Sequence, residues 1–178
     1  MHFSKKTLMA FKLCICFILI NLILACSGVN PLSPGAWVEE KNRIQLLAAG
    51  PQEGNWETRD LTIAYELVHQ DDALQISGVV DFGGHHTSNF TTLEYLTIYI
   101  HALGPNGIVR KTKAVKTFGF RRQIWMMGKL SFDGDFEMSA DVDVIAVAFS
   151  YSGTVESGGG DAGWNFWKVP RRKPPEQN

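Results

Sequence analysis

Leu61-Thr62-Ile63-Ala64-Tyr65-Glu66-Leu67-Val68 and, after Gln70-Asp71-Asp72, Leu74-Gln75-Ile76-Ser77-Gly78-Val79-Val80-Asp81-Phe82 form the stretch whose reading decides the fold. Leu61, Ile63, Tyr65 and Leu67 alternate with Thr62, Ala64, Glu66 and Val68. Period two places successive side chains on opposite faces of a strand. Leu74, Ile76, Val80 and Phe82 repeat the alternation, and the polar acidic triplet between the two runs supplies a turn. The pair reads as a hairpin. Gly78 occupies an inward position of its second strand, where a bulge or a close backbone approach is expected.

The same period extends outward. Leu96, Ile98, Ile100 and Ala102 share one face of an apolar strand over Leu93–Leu103, with Tyr95 and Tyr99 on the other. Gly104-Pro105-Asn106-Gly107 is a turn, and Ile108–Phe118 returns as a basic strand carrying Arg110, Lys111, Lys113 and Lys116. Along Leu130–Val142, Phe132, Phe136, Met138, Ala140 and Val142 share one parity; Asp133, Asp135, Glu137, Asp141 and Asp143 share the other. The acidic parity is expected to face the lysines of Ile108–Phe118 as cross-strand charge pairs. Val144–Tyr151 reads as buried on both faces, and Trp164–Val169 closes the domain. Gly83–Thr92 and Gly119–Gly128 read as a polar loop and an irregular crossover, and Gly153–Gly163 as a glycine-rich loop. Over Ala36–Gly50, Ser33-Pro34 and Gly50-Pro51 resemble helix start and stop signals. The alternation of Ile44, Leu46 and Ala48 favours a short first strand about Arg43–Leu47. Six or seven strands at turn spacings of roughly ten residues, without an amphipathic helix, predict an all-β antiparallel sandwich.

The runs Leu74–Phe82, Leu96–Val109 and Val144–Gly153 resemble the immunoglobulin-like domains of bacterial envelope proteins, most closely the FxLYD type. They share its order of strand, long loop, strand, glycine turn and strand. The family's Leu-Tyr-Asp signature has no counterpart at Ala102-Leu103-Gly104. The resemblance covers roughly Leu74–Ser152 and implies an immunoglobulin-like sandwich of about seven strands. That domain type is a structural module, so it brings no catalytic residues with it.

The N-terminus carries a different message. Lys5 and Lys6 precede a largely apolar run, Leu8–Leu24, and a small residue, Ala25, stands before Cys26. A basic start, an apolar middle and a small residue before the cut mark a secretory signal. The alternative is an uncleaved membrane helix, for which the run is slightly short of the ~20 residues a span requires. Ile23-Leu24-Ala25-Cys26 resembles the lipobox of bacterial lipoproteins. That resemblance implies cleavage before Cys26, a diacylglyceryl thioether on its sulfur, acylation (palmitate) of its amine, and stable attachment to a membrane. Ser27 in the next position implies sorting to the outer membrane of the cell envelope. The expected organisation is a signal peptide over 1–25, a tether with the Cys26 anchor over 26–42, the sandwich over 43–169 and a disordered tail over 170–178.

Charge and cysteine content then exclude function classes. The chain has 17 basic and 18 acidic residues. Discounting the leader lysines Lys5, Lys6 and Lys12 leaves 14 basic residues against 18, a balance unlike a nucleic-acid footprint. Cys14, Cys16 and Cys26 are the only cysteines, so the domain has neither a disulfide nor a thiolate metal site.

Among candidate sites, Phe120–Met127 stands out. Arg121, Arg122, Trp125 and Met126 are residue types enriched in interface cores, which makes them the expected partner contact. The competing reading has Ile124, Trp125 and Met127 capping one end of the sandwich. His85 and His86 are weak metal candidates that would need His69 or His101 to complete a shell. Asp133-Gly134-Asp135 sits on a straight strand that cannot wrap calcium. Phe149-Ser150-Tyr151-Ser152-Gly153 lacks the glycine that opens a nucleophile elbow. Gly158-Gly159-Gly160 does not sit in a phosphate-binding strand–loop–helix, and Asn89-Phe90-Thr91, a glycosylation acceptor pattern, is discounted for a bacterial chain. Trp164, Phe166 and Trp167 read as core and sheet-edge packing. The expectation is a non-catalytic envelope lipoprotein with no cofactor, holding an envelope protein partner. The alternative is a ligand-binding module for carbohydrate or metal.

Overall fold

The computed structural model describes residues 34–47, 50–70, 73–124, 127–138, 144–157 and 163–168, without the side chains of Gln70, His85, Phe120 and Arg122. The leader, Cys26, Trp125, Met126, the triple glycine and the tail lie outside the described residues. The described residues form nine strands in order: β1 (Ile44–Gln45), β2 (Gly50–Glu57), β3 (Leu61–Gln70), β4 (Ala73–Phe82), β5 (Thr92–Leu103), β6 (Val109–Gln123), β7 (Leu130–Glu137), β8 (Ala146–Glu156) and β9 (Trp164–Lys168). One sheet runs β2-β3-β4-β7; the other runs β1-β8-β5-β6, with β9 also paired to β8. Every pairing is antiparallel. The molecule is an antiparallel β-sandwich of immunoglobulin-like architecture.

The hairpin at the start of the argument is β3–β4, with Leu61 opposite Phe82 and Gln70 opposite Ala73. Its inward set, Leu61, Ile63, Leu67, Leu74, Ile76 and Val80, is buried. Together with Leu96, Ile98, Ile100, Phe132, Phe136, Phe149 and Tyr151 it forms the core between the sheets. Gly78 is the close approach foreseen there, because a Cβ would stand 2.6 Å from Phe132 Cζ and 2.8 Å from the Ala64 carbonyl oxygen. The β5–β6 turn needs left-handed backbone at Asn106 (φ 65°) and Gly107 (φ 75°), which explains Asn-Gly there. β8 is buried on both faces over Ala146–Tyr151, as its composition predicts, but Ile145 just before it is exposed, and the strand continues to Glu156 through the start of the expected glycine-rich loop.

Three expectations are corrected. Gly83–Thr92 contains a helix, α1 (Gly84–Asn89). Its six residues have no apolar period, and it is fixed instead by burial of His86 and by the partly buried Phe90 that follows it, packed on the core. The supposed crossover after Phe118 is strand as far as Gln123, because Tyr95 pairs with Gly119 and Thr92 with Gln123. Finally, β6 and β7 belong to different sheets. The Lys111 ammonium donates to the Glu137 backbone carbonyl at 2.9 Å, and that of Lys113 to the Asp135 carbonyl. The lysines thus cap edge carbonyls where charge pairs with the carboxylates had been expected.

The chain is already docked from Gly35. Gly35 N donates to Val109 O and Val109 N to Ala36 O. Ala36 and Val38 are buried with Leu103, Val109, Ala146 and Ala148 in a second small core. Arg43 donates to Val38 O at 2.8 Å and to Asn106 O at 3.1 Å, and lies over the Trp37 ring. This clamp brings Trp37–Asn42 beside the edge of β8.

Candidate functional site: an aromatic cleft on the β8–β9 edge

β1 pairs with Ala146 and Val147 of β8, whereas β9 pairs with Tyr151–Val155 on the same edge. The interval between them opens into a cavity of about 480 Å³, lined by Trp37–Glu39, Lys41, Asn42, Thr58–Asp60, Phe149, Tyr151, Trp167 and Lys168. A second cavity of about 570 Å³ runs along β9 towards α1 and shares Arg59, Asp60 and Trp167 with the first. His86, Asn89, Phe90, Trp164 and Asn165 are among its walls. The two form one cleft that meets at Asp60 and Trp167.

Asp60 is the polar centre. It sits in the β2–β3 connection, where the Thr58 hydroxyl accepts from the backbone N–H groups of Asp60 (3.2 Å) and Leu61 (3.1 Å). Such a side-chain turn is what a Thr-x-Asp ahead of an apolar run provides. The Tyr151 hydroxyl donates to Asp60 Oδ2 at 2.6 Å. Asp60 Oδ1 lies 3.3 Å from His86 Nε2 and 3.5 Å from Arg59 Nε. Burial first, and then the bond to Asp60, push the Tyr151 phenol well above its ordinary value, so it stays a neutral donor. His86 is buried with its ring 4.6 Å from Phe166 and 5.3 Å from Phe90. Lys168 lies over Trp56 on the core side of the cleft.

The aromatic triplet of β9 departs from expectation. Phe166 is buried, but Trp164 and Trp167 are each 61% exposed. By period two Trp164 shares the face of Phe166 and Trp167 takes the other, and β9 has no further strand beside it among the described residues, so neither ring has a neighbouring strand's side chains to pack on.

The other candidates disperse. Arg121 is exposed and forms a two-pronged bond to Glu156 at 3.0 and 2.8 Å. That bond holds the Glu156 carboxyl below its usual range. Ile124 is buried and Met127 packs on the core; these two cap the sandwich end, and Trp125, Met126 and the Arg122 side chain lie outside the described residues. His86 lies at Asp60, whereas His101 sits on the outer face of the other sheet between Thr112 Oγ1 (2.8 Å) and Ser150 Oγ (2.7 Å). No group of three His, Cys, Asp or Glu side chains suited to a metal occurs among the described residues. Ser150 and His101 have the contact of a nucleophile and its base, but both are wholly buried and no carboxylate stands behind the imidazole.

Fold and cleft define a class: an immunoglobulin-like β-sandwich with an aromatic, charge-bearing cleft along one sheet edge. Compared with protein-family models, curated proteins and solved structures, the chain matches none.

Proposed function

We propose that the protein is a non-catalytic lipoprotein of the bacterial envelope, anchored through Cys26, whose sandwich holds a partner protein at the β8–β9 cleft. The observation that carries this reading is the exposure of Trp164 and Trp167 beside Asp60, Arg59 and Lys168. Exposed tryptophan flanked by polar and cationic groups is the composition of an interface centre and rim. A binding role is further supported by the Asp60 carboxylate, which accepts from the Tyr151 hydroxyl and lies within ion-pair distance of His86 and Arg59. A general base needs reach to a substrate proton, and the His101–Ser150 contact lies under the surface.

Chemical crosslinking of the tagged full-length protein in intact cells tests the reading. The expected result is recovery of one envelope protein, reduced by Trp164→Ala/Trp167→Ala and unchanged by Lys129→Ala on the opposite sheet. Recovery of no partner overturns it. Mass spectrometry of the N-terminus tests the anchor: a mature chain beginning at lipid-modified Cys26 is expected, and a chain beginning at Met1 or bearing an unmodified Cys26 contradicts it. A second reading, a glycan ligand in the same cleft, is favoured by the nearness of Asn89, Asn165 and Arg59 to the two indoles. Melting shifts against a glycan panel separate the two.

A further inference from the structure

The two sheets turn opposite chemistries outward. Across β2-β3-β4-β7 a single row of paired residues carries Glu53, Glu66 and Asp133 beside Ser77. The outer face of β6-β5-β8-β9 has no charged residue over three successive rows. Gly119, Tyr95, Thr154 and Asn165 pair in the first row, and Thr117, Thr97, Ser152 and Trp167 in the second. Ala114, Tyr99 and Ser150 make the third. β6 is a basic strand, yet its Lys111, Lys113 and Lys116 pair with Ala102, Ile100 and Ile98 of the core parity. Its outer parity is left to threonine, alanine and glycine. Charge returns above the first row, where Arg121 and Glu156 pair at 2.8 Å with Glu94 beside them.

Aromatic rings and hydroxyls are what this face presents. Tyr95 is 41% exposed and Trp167 61%. Two strand spacings and one row separate them, roughly 12 Å of backbone on the diagonal, with Thr154 and Ser152 in between. The Thr97 and Thr117 hydroxyls share one hydrogen bond at 3.1 Å, and the Thr154 hydroxyl donates to Asn165 Oδ1 at 2.8 Å. Two hydroxyls joined by one bond still have one O–H to donate and lone pairs to accept, and Asn165 keeps its NH2 donors. These bonds order the face without saturating it.

We infer that this face is a platform for a neutral glycan chain laid diagonally from Tyr95 to Trp167. A pyranose ring has a C–H face that stacks on an aromatic ring and a rim of hydroxyls that donate and accept, so it uses both groups and brings no charge. The lack of charge selects the occupant. An ordinary protein surface is about a quarter or more charged, and burying such charges where no counter-charge stands is costly. Nucleic acids and anionic glycans call for cations that the three rows lack. A membrane surface calls for a contiguous apolar or basic patch. A second copy fits poorly for another reason. Sheet faces that pack on each other interdigitate apolar side chains, and the centre of this face is threonine and serine. The inference goes beyond the cleft, because Tyr95 and Thr117 line neither of its cavities, whereas Trp167 and Asn165 belong to both surfaces.

The test uses full-length protein in a detergent without a sugar headgroup. It is titrated calorimetrically with neutral oligosaccharides of the glucose, mannose and N-acetylglucosamine series and with an oligouronate. Binding of at least one neutral series is expected, and none of the uronate. Tyr95→Ala and Trp167→Ala should each weaken that binding at least about tenfold through loss of a stacked ring. Tyr95→Phe, which keeps the ring, should bind as the parent does, and so should Lys129→Ala on the opposite sheet. Thr117→Val, which keeps the shape and removes the hydroxyl, should weaken binding by a smaller factor. The platform is overturned if no neutral glycan binds, if the uronate binds as well, or if Tyr95→Ala has no effect. Binding lost in Trp164→Ala and kept in Tyr95→Ala belongs to the cleft and overturns it too, as does a concentration-dependent dimer that Tyr95→Ala abolishes. The two proposals fail separately, because the crosslinked partner of the cleft is read with Trp164→Ala and the glycan with Tyr95→Ala.

Discussion

Gly78 and His101 show how single positions carry the constraints of a closely packed sandwich. At Gly78 the neighbour opposing a Cβ includes the Ala64 carbonyl, which belongs to a paired backbone and cannot swing aside as a side chain can. Gly78→Ala is expected to destabilise by about 1–3 kcal/mol through overpacking. Gly119→Ala, where a Cβ meets nothing within 4 Å, should stay within about 0.5 kcal/mol of the parent. Urea midpoints at unchanged m-value measure both. His101 is a different constraint. Burial lowers its pKa to about 4, whereas the unfolded chain protonates it near 6.5. Between these values the unfolded state binds more protons, so stability from this group is complete above about pH 6.5 and declines as pH falls to about 4. The loss is on the order of 3 kcal/mol. His101→Gln should remove that slope, read as the difference between parent and variant in urea unfolding at pH 7.5, 5.5 and 4.5.

Among the elements, β6 and β7 depend on lysines that act as edge caps. Replacing both with methionine, Lys111→Met/Lys113→Met, keeps the aliphatic stems and removes the donors to Glu137 and Asp135. The expected cost is about 0.5–1 kcal/mol for each exposed bond. A larger effect is expected in light scattering after refolding, because the uncapped β7 edge becomes a template for another chain. β3, β4, β5 and β7 are legible in the sequence because period-two alternation is a local signal, as in Leu61–Leu67 and Leu74–Phe82, whereas β2 carries no such alternation and takes its place from pairing with β3. The lysine caps are not legible. A lysine opposite an acidic strand presents the same sequence pattern whether its ammonium reaches a carboxylate or the adjacent carbonyl, and sheet membership depends on contacts far along the chain. α1 has no local signal, because Gly84–Asn89 is held by the burial of His86 and the packing of Phe90 and has little helical propensity of its own. The cleft was legible only in part. Trp164 and Trp167 were visible as an aromatic cluster, but their exposure follows from β9 being an edge. Asp60 meets Tyr151 across 91 positions of sequence, and only the Thr58-Arg59-Asp60 turn carried a local sign.

For the whole molecule, the contact between Asp60 and Tyr151 matters more than its position in a cleft suggests. Tyr151 belongs to β8 in one sheet, and Asp60 to the connection leading into β3 in the other. The bond therefore joins the two layers at the same end where Trp56 packs edge-on against Tyr151 and tilted against Phe149. A hydrogen bond from a neutral phenol to a carboxylate is of the stronger kind, and removing the donor leaves a largely buried charge less well solvated. Tyr151→Phe keeps the ring in the core and deletes only the hydroxyl, with an expected loss of about 1.5–3 kcal/mol. If the sheets unfold as one cooperative unit, that loss lowers a single transition. Tryptophan fluorescence, which senses Trp56 between the layers, and far-ultraviolet circular dichroism, which senses both sheets, should then shift together. Separation of the two curves in Tyr151→Phe but not in the parent would mean that this contact, rather than the apolar core, couples the layers. Partner binding along β9 would then be coupled to sandwich stability through Asp60, since the same carboxylate lines both cavities of the cleft.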